Sequence, residues 1–518
     1  MTDHFPLLSL CLIWPLLGAL LLGLVKNPLR AKRLCLLVAC AELCFCLLVV
    51  VGFNPDFGGF QFQEDYLWIP GLNVHYLLGV DGISLLFLPM TAWVTLMAIL
   101  FGWNSVRQLN RFHLALLLVL ESVTIGVFTA LDLLLFFLFW ELTLPPLFFL
   151  IGLWGMGAER RYAAMKYTLY MLFGGVPLLF GIILLALNHA QLAGGAMSQA
   201  LTFSLPALLQ TPVADNLQNL ILLLLMLGFA AKAPLMPFHT WLPTVAMEAP
   251  AQITALLTAL KLGVYGIVRF AIPLAPVAAT EHRWLLAIIG GITLVYAGLI
   301  ALQQTNLRRL LAYSSISHVG LVLIGVASLT LQGLQGAIMQ LLNFSVVASS
   351  LMLIAGMIRQ RQGSTELAHL GGLAKPMPRL TVCFFLFALS SIGVPLTSGF
   401  PAELLILLGT LQSFPALALV ALFTAIIAAA YVLGFARRGL LGPITQQTVA
   451  RLQDLRPREI FILAIPAMLV LWLGFYPQWL LNQQENTLAL WLQRVYQPSL
   501  WMADGFFAER AFEQHPVN

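Results

Sequence analysis

Six ionisable side chains stand in stretches of sequence that are otherwise apolar: Glu42, Glu121, Glu141, Lys232, Lys261 and Glu403. A carboxylate or ammonium at the centre of a membrane helix costs about 2.5 to 3.5 kcal/mol even on a lenient insertion scale, so such groups usually face a wet interior and bind and release ions. Two histidines, His239 and His318, belong with them, because imidazole titrates near neutral pH and can accept a proton on one nitrogen while donating from the other. Ser314, Ser315 and Ser317 surround His318 with hydroxyls that could hold water. The chemistry open to this set is stepwise proton transfer. Each member also has a plainer reading: a protonated acid bonded to a neighbouring helix, a lysine that snorkels to the surface, a histidine that only satisfies its hydrogen bonds.

The local sequence around these groups sharpens the choice. Glu141 lies near the middle of FFLFWELTLPPLFFLIGLWG, too far from either end for its short side chain to reach headgroups. Lys232 precedes Pro234 and Pro237, which remove backbone donors and should break the helix just beyond it. Glu403 follows a second break at Pro395, Gly399 and Pro401. Paired discontinuous helices with ionisable groups suggest an internal repeat of the kind transporters use. Glu121, one helix before Glu141, is placed to share a proton with it, since two close carboxylates do not both ionise cheaply.

The elements that must position these residues follow from composition. Of 518 residues, 60% are hydrophobic and 9% charged, far from the quarter charged that soluble domains carry. Unpaired backbone groups are intolerable in hydrocarbon, so repeated apolar runs mean an all-α polytopic membrane protein. About fourteen helices are expected. The first eight lie near residues 5–25, 34–52, 82–103, 113–130, 132–154, 166–187, 218–237 and 250–270. Six more lie near 284–302, 308–327, 333–357, 380–411, 414–436 and 459–477. The first run lacks a basic start and a cleavage site and reads as a retained span.

Basic residues follow the odd-numbered helices: Arg30, Lys32 and Arg33, then Arg107 and Arg111, Arg160 and Arg161, Arg308 and Arg309, Arg359 and Arg361, and Arg437 and Arg438. The opposite loops hold little beyond Arg269, Arg283 and acids such as Asp56, Glu64 and Asp65. By the positive-inside rule both termini then face the periplasm or lumen, in a bacterial inner membrane or an equivalent energy-transducing membrane. Net charge of +5 reports topology here rather than a nucleic-acid partner. The cysteines, four of them crowded at Cys35, Cys40, Cys44 and Cys46, read as membrane packing without a metal. No dinucleotide-binding glycine motif and no cluster-ligating cysteine series is present. The tail from Asn482, with Trp491, Trp501, Phe506 and Phe507, reads as an interfacial segment, a partner contact or a disordered end.

FWELTLPP around Glu141, KAPLMPFHTWLP after Lys232, LKLGVYGIVRF around Lys261, RRLLAYSSISHVG and GVPLTSGFPAELLILLG resemble the signature segments of the antiporter-like membrane subunits of complex I, from about residue 79 to 480. Glu403, where other types of the family use lysine, and the ending DLRPREIFIL with LWLGFYPQ, resemble the M type. The resemblance implies fourteen core helices, with helices four to eight and nine to thirteen as inverted repeats. Residues 1–112 would then hold helices one to three, 113–270 and 271–440 the two repeats, and 441–518 helix fourteen and an interfacial tail. It further implies that Glu141 pairs electrostatically with Lys232, that Lys261 is the central relay lysine and that Glu403 is the terminal proton site. Redox cofactors and quinone would reside in partner subunits, among them neighbouring antiporter-like chains. Related assemblies sharing this core are multisubunit Na⁺/H⁺ antiporters, membrane hydrogenases and specialised photosynthetic or CO₂-hydrating complexes. Thr244, Val245 and Ala246 replace the usual Asp-Ala-His, and Asn343 and Phe344 replace a common Ser-His, which points to a divergent branch.

Overall fold

A computed structural model describes residues 5–106, 108–194 and 200–497. Arg107, Trp501, Phe506 and Phe507 lie outside the described residues. Each expected apolar run falls on a helix or a pair of helices. Eleven of them are long and apolar enough to cross a membrane by length and composition among the described residues. Phe87–Gly102 and Pro378–Ser391 are shorter apolar helices, and Asp215–Lys232 ends at its lysine. Helices Leu307–Ala327 and Leu331–Gln362 have 94% of their apolar window buried, whereas Leu7–Leu24 and Pro28–Gly52 have 33%. The former pair is therefore central, and the latter turns leucines such as Leu20, Leu24 and Leu37 outward, as a lipid-facing perimeter requires.

The breaks have local causes. Past Lys232, Pro234 has no N–H to return to Ala230 O, so Leu235 N reaches back to that carbonyl at 3.2 Å instead and the helix stops. A short 3₁₀ turn, Phe238–Thr240, leads into Trp241–Glu248. The expected twelfth helix is divided into Pro378–Ser391 and Gly399–Ser413. Between them Gly393 has φ +66°, and a Cβ there would collide with the Glu403 carboxylate. Glycine thus supplies both the left-handed turn and the room for the acid.

Two further breaks were not expected. The run at 132–154 is Leu133–Leu142 followed by Leu144–Trp154, because Pro145 and Pro146 withhold the donors that Glu141 O and Leu142 O would have received. The eighth run divides at Lys261, between Ala251–Ala259 and Leu262–Gly266, and continues through a π turn at Ile267–Ala271. Gly263 explains the closeness here: a Cβ on it would lie 2.6 Å from Phe229 O, so only glycine lets this strand of backbone touch the end of the seventh helix.

The all-α expectation is corrected in one place. Gln61–Ile69 pairs antiparallel with Val74–Val80, with Tyr66 opposite Tyr76. Glu64 of this hairpin accepts Leu8 N at 2.8 Å, holding the free N–H groups that begin Leu7–Leu24. An amphipathic helix, Gln478–Tyr496, packs on the same face and buries Trp491, whose indole donates to Val268 O at 2.8 Å. That part of the tail is an ordered docking element. Arg269 is not a loop residue either: it is buried beside Asp81, donating to both carboxylate oxygens.

Candidate functional site

The side chains singled out in the sequence converge on the breaks. Where the seventh helix ends, the Lys232 ammonium donates to Thr143 Oγ1 at 2.8 Å and to Trp140 O at 3.1 Å. It also sits 3.9 Å from the centre of the Trp140 ring, a cation–π contact at close range. The carbonyl of Trp140 and the hydroxyl of Thr143 are available because the neighbouring helix is interrupted at Thr143. Glu141, on the same segment, lies over Gly175, where a Cβ would clash with its Oε1. Among the described residues no acid comes within 4.0 Å of Lys232, so the expected Glu141–Lys232 pair is not a contact pair. A cavity of about 40 Å³ reaches Lys232, Thr143, Tyr167 and Thr124, which is room for water.

Lys261, freed from helical geometry at its break, is buried and donates to Ser315 Oγ. Ser315 belongs to Leu307–Ala327, the helix that also carries His318. The Phe344 ring lies between the two basic groups, 5.6 Å from Lys261 Nζ and 5.0 Å centre to centre from the His318 imidazole. Ser345 Oγ, one residue on, donates to Ala259 O at 3.2 Å and so ties down the carbonyls exposed by the break.

His318 faces two carbonyls, Ser314 O at 2.7 Å from Nδ1 and Ser391 O at 2.9 Å from Nε2. Carbonyls only accept, so a neutral ring can bond to one of them and an imidazolium to both. Nε2 is also 3.8 Å from Glu403 Oε1. Here too there is room for water: a cavity of about 20 Å³ is lined by His318, Glu403, Ser317 and Thr424. Gln340 Nε2 donates to Glu403 Oε1 at 3.3 Å, and Asn343 Nδ2 donates to Gln340 Oε1 at 3.2 Å. Ser398 Oγ closes this chain on Asn343 Oδ1 at 2.6 Å. Asn343 is thus a fixed link of an amide network, and the position next to it, where the resemblance leads one to expect a histidine, is held by the Phe344 ring.

The structure sets Lys261 on Ser315, places His318 three residues further along the same helix and close to Glu403, and sets Lys232 with Trp140 and Thr143. It places the remaining three groups, His239, Glu121 and Glu42, elsewhere. His239 is buried against Tyr296, with Nδ1 free of any hydrogen bond among the described residues. Glu121 is buried with Glu42, Cys11 and Cys40 as its charged or chargeable neighbours, whereas Glu141 has Lys232. Residues the sequence reading passed over include Trp140 and Gln340, which look like ordinary span residues, and Asp81. Arg308 was counted as a surface charge but is fully buried, donating to Ala249 O and Thr254 Oγ1.

Residues 130–428 match the family described as NADH:quinone oxidoreductase/Mrp antiporter, TM. The chain is 37% identical over 486 residues to NADH-quinone oxidoreductase subunit M of Rhodobacter capsulatus, covering 91% of this chain and 93% of that one. It is 35% identical over 482 residues to NADH-ubiquinone oxidoreductase chain 4 of Chondrus crispus, covering 92% and 95%. Its fold superposes on a chain of respiratory complex I from Thermus thermophilus with a TM-score of 0.85 at 29% identity, over 94% of this chain and 99% of that one. The chain belongs to the antiporter-like membrane subunits shared by NADH:quinone oxidoreductases and Mrp antiporters, and within them to the M type.

Proposed function

We propose that this chain is the proton-translocating M-type subunit of a complex I-type oxidoreductase, and that it carries no redox centre itself. Protons pass along Glu141, Lys232, Lys261, His318 and Glu403, with His239 and Glu121 as side branches. The observation that carries this reading is that Lys261 donates to Ser315, that His318 stands three residues further along the same helix 3.8 Å from Glu403, and that Lys261 and Glu403 each lie beside a helix break. Residues 113–270 and 271–440 form the two repeats, the first with proline interruptions beside Glu141 and Lys232 and the second with one beside Glu403. Both termini lie on the periplasmic or lumenal side, opposite the arginine-rich loops.

The physics is electrostatic relay. An acid near Lys232 favours the charged ammonium; when that acid takes a proton or moves away, the lysine's hold on its own proton weakens and the next site receives it. His318 bonded to Ser314 O and Ser391 O holds a proton on each nitrogen, and passing one to Glu403 breaks one of those links. Moving each charge against a membrane potential costs about 2.3 kcal/mol per 100 mV. Electron transfer, quinone and redox cofactors belong to partner subunits, whose chemistry alters the first pair and drives the rest.

Exchange of sodium for protons is the second reading, favoured by the family description, which includes Mrp antiporters. Specialised and hydrogenase-type assemblies are further settings for the same relay. The test is proton uptake into vesicles holding the assembled complex, driven by its electron donor, with Lys261→Ala beside the wild type. Loss of at least nine tenths of the pumping per electron supports the redox-driven relay. Undiminished pumping in an assembled Lys261→Ala complex overturns it, and pumping that requires a sodium gradient and no electron donor selects the exchanger.

A further inference from the structure

Apart from the main file of the relay, the first, second and fourth spans bury a second polar cluster around the Glu121 side branch. Glu42 and Cys46 are four residues apart on Pro28–Gly52 and so share a face, with Cys46 Sγ 3.3 Å from Glu42 Oε1. Cys11 of Leu7–Leu24 meets them, and one ligand atom from each of the three lies within 4.8 Å of the other two. All three are buried. Glu121 of Asn110–Thr129 faces the same place, and both of its oxygens lack a hydrogen-bond partner, as does Glu42 Oε2.

Packing alone accounts poorly for this. Three carboxylate oxygens without partners represent a desolvation cost of about 1 to 3 kcal/mol each. The chargeable groups facing Glu121 are Glu42 and the thiols of Cys11, Cys35 and Cys40, all of which are neutral or negative. What the cluster lacks is a cation. We propose that Cys11, Glu42 and Cys46 bind a zinc-class divalent cation, with the Glu121 carboxyl closing the site.

The donor set selects the class of ion. Two thiols and a carboxylate suit soft or borderline d¹⁰ ions and disfavour magnesium and calcium, which take oxygen shells. Around tetrahedral zinc, sulfur and oxygen ligands stand about 3.5 to 3.8 Å apart, so the observed separations need side-chain shifts on the order of 1 Å. Access is short. Cys11 is the fifth residue of its helix, about 6 Å below the hairpin-bearing rim at 1.5 Å per residue. Binding would displace the thiol protons and leave the second acid protonated, so that it donates to the ligating carboxylate.

Cobalt is the probe, because a tetrahedral cobalt–thiolate centre absorbs visibly. The full chain, purified with its accompanying subunits, is equilibrated with Co²⁺, desalted, and read for cobalt content and spectrum. The wild type should retain one more ion per complex than Cys46→Ser or Cys11→Ser, and its thiolate bands should vanish in both. Glu42→Gln, which keeps side-chain volume and so guards against misfolding, should bind at least tenfold more weakly, whereas Glu121→Gln, whose amide still donates to the Glu42 carboxylate, should keep the ion. Equal cobalt content and equal spectra in the wild type and all four variants overturn the site. So does a Cys11–Cys46 disulfide found by mass spectrometry in complex prepared without added oxidant.

Discussion

Lys232 is held against Trp140 twice, by its carbonyl at 3.1 Å and by its ring at 3.9 Å. The backbone bond survives any substitution of Trp140, and the ring contact does not. A cation–π contact in a desolvated site stabilises the ammonium by roughly 2 kcal/mol. Trp140→Leu should therefore slow proton transfer or shift its pH optimum by an amount equivalent to about tenfold, while Trp140→Phe recovers part of it. Pumping per electron in vesicles, measured from acid to alkaline pH, is the readout.

Ser315 Oγ is the acceptor through which Lys261 is connected to the His318 helix. Hydrogen bonds to charged groups contribute about 1.5 to 3 kcal/mol. Ser315→Ala should lower pumping by about tenfold or more with the complex still assembled, and Ser315→Thr should restore most of it. Equal rates for all three proteins would exclude the hydroxyl from the path.

Gly393 combines a left-handed φ with contact against Glu403. Gly393→Ala adds strain of roughly 1 to 3 kcal/mol and pushes the acid from its place near His318. Pumping should fall at least tenfold. Gly434→Ala, where a Cβ would meet nothing within 4 Å, is the matched control and should pump normally.

The Asp81–Arg269 pair is almost wholly buried, with 4% of each side chain exposed. Removing one partner strands the other charge, at a cost of about 3 to 5 kcal/mol. Asp81→Ala should sharply reduce the amount of assembled complex, and the double variant Asp81→Ala/Arg269→Met should recover much of it. Blue-native electrophoresis of solubilised membranes measures both.

Asp132, just before Leu133, accepts from Leu134 N at 2.9 Å, Leu135 N at 3.0 Å and His75 N at 3.1 Å. Burial pushes its carboxyl above the ordinary aspartate range, and these N–H groups offset only part of that push. The folded protein then binds the proton more tightly than the unfolded chain. Its contribution to stability falls as pH rises from the unfolded value, about 3.9, up to the folded one, and is level above. Asp132→Asn keeps the helix cap and should abolish this slope, whereas Asp132→Ala should cost about 1 to 2 kcal/mol at neutral pH. Thermal melts in detergent between pH 4 and pH 7, bounds set on the order of that window, test the sign.

What the sequence disclosed depended on whether the cause was local. Pro234, Pro237, Pro395 and Pro401 announce their breaks because a missing N–H acts wherever it occurs. The break at Lys261 carries no such mark. Its backbone turns aside because Gly263 packs on the end of a helix thirty residues earlier in the chain, and that is visible only in three dimensions. Pro145 and Pro146 were in view but also suit a helix start, so one span was read where there are two. Arg269 reads as a loop cation in the sequence because its partner, Asp81, is 188 residues away. The hairpin lies in the stretch between the second and third expected helices, which carries no apolar run and reads only as a loop.

Gly82 N donates to Thr487 Oγ1 at 3.1 Å, and Asn486 Nδ2 donates to Pro55 O at 3.0 Å, across more than 400 positions of chain. Early and late segments are thereby buckled together on the face that bears the hairpin, closing the polypeptide into a loop around its own relay. A loop fastened on one rim yields most readily at the other. Rearrangements that accompany each turnover should accordingly gather at the arginine-rich rim, where hydrogen exchange would register them first.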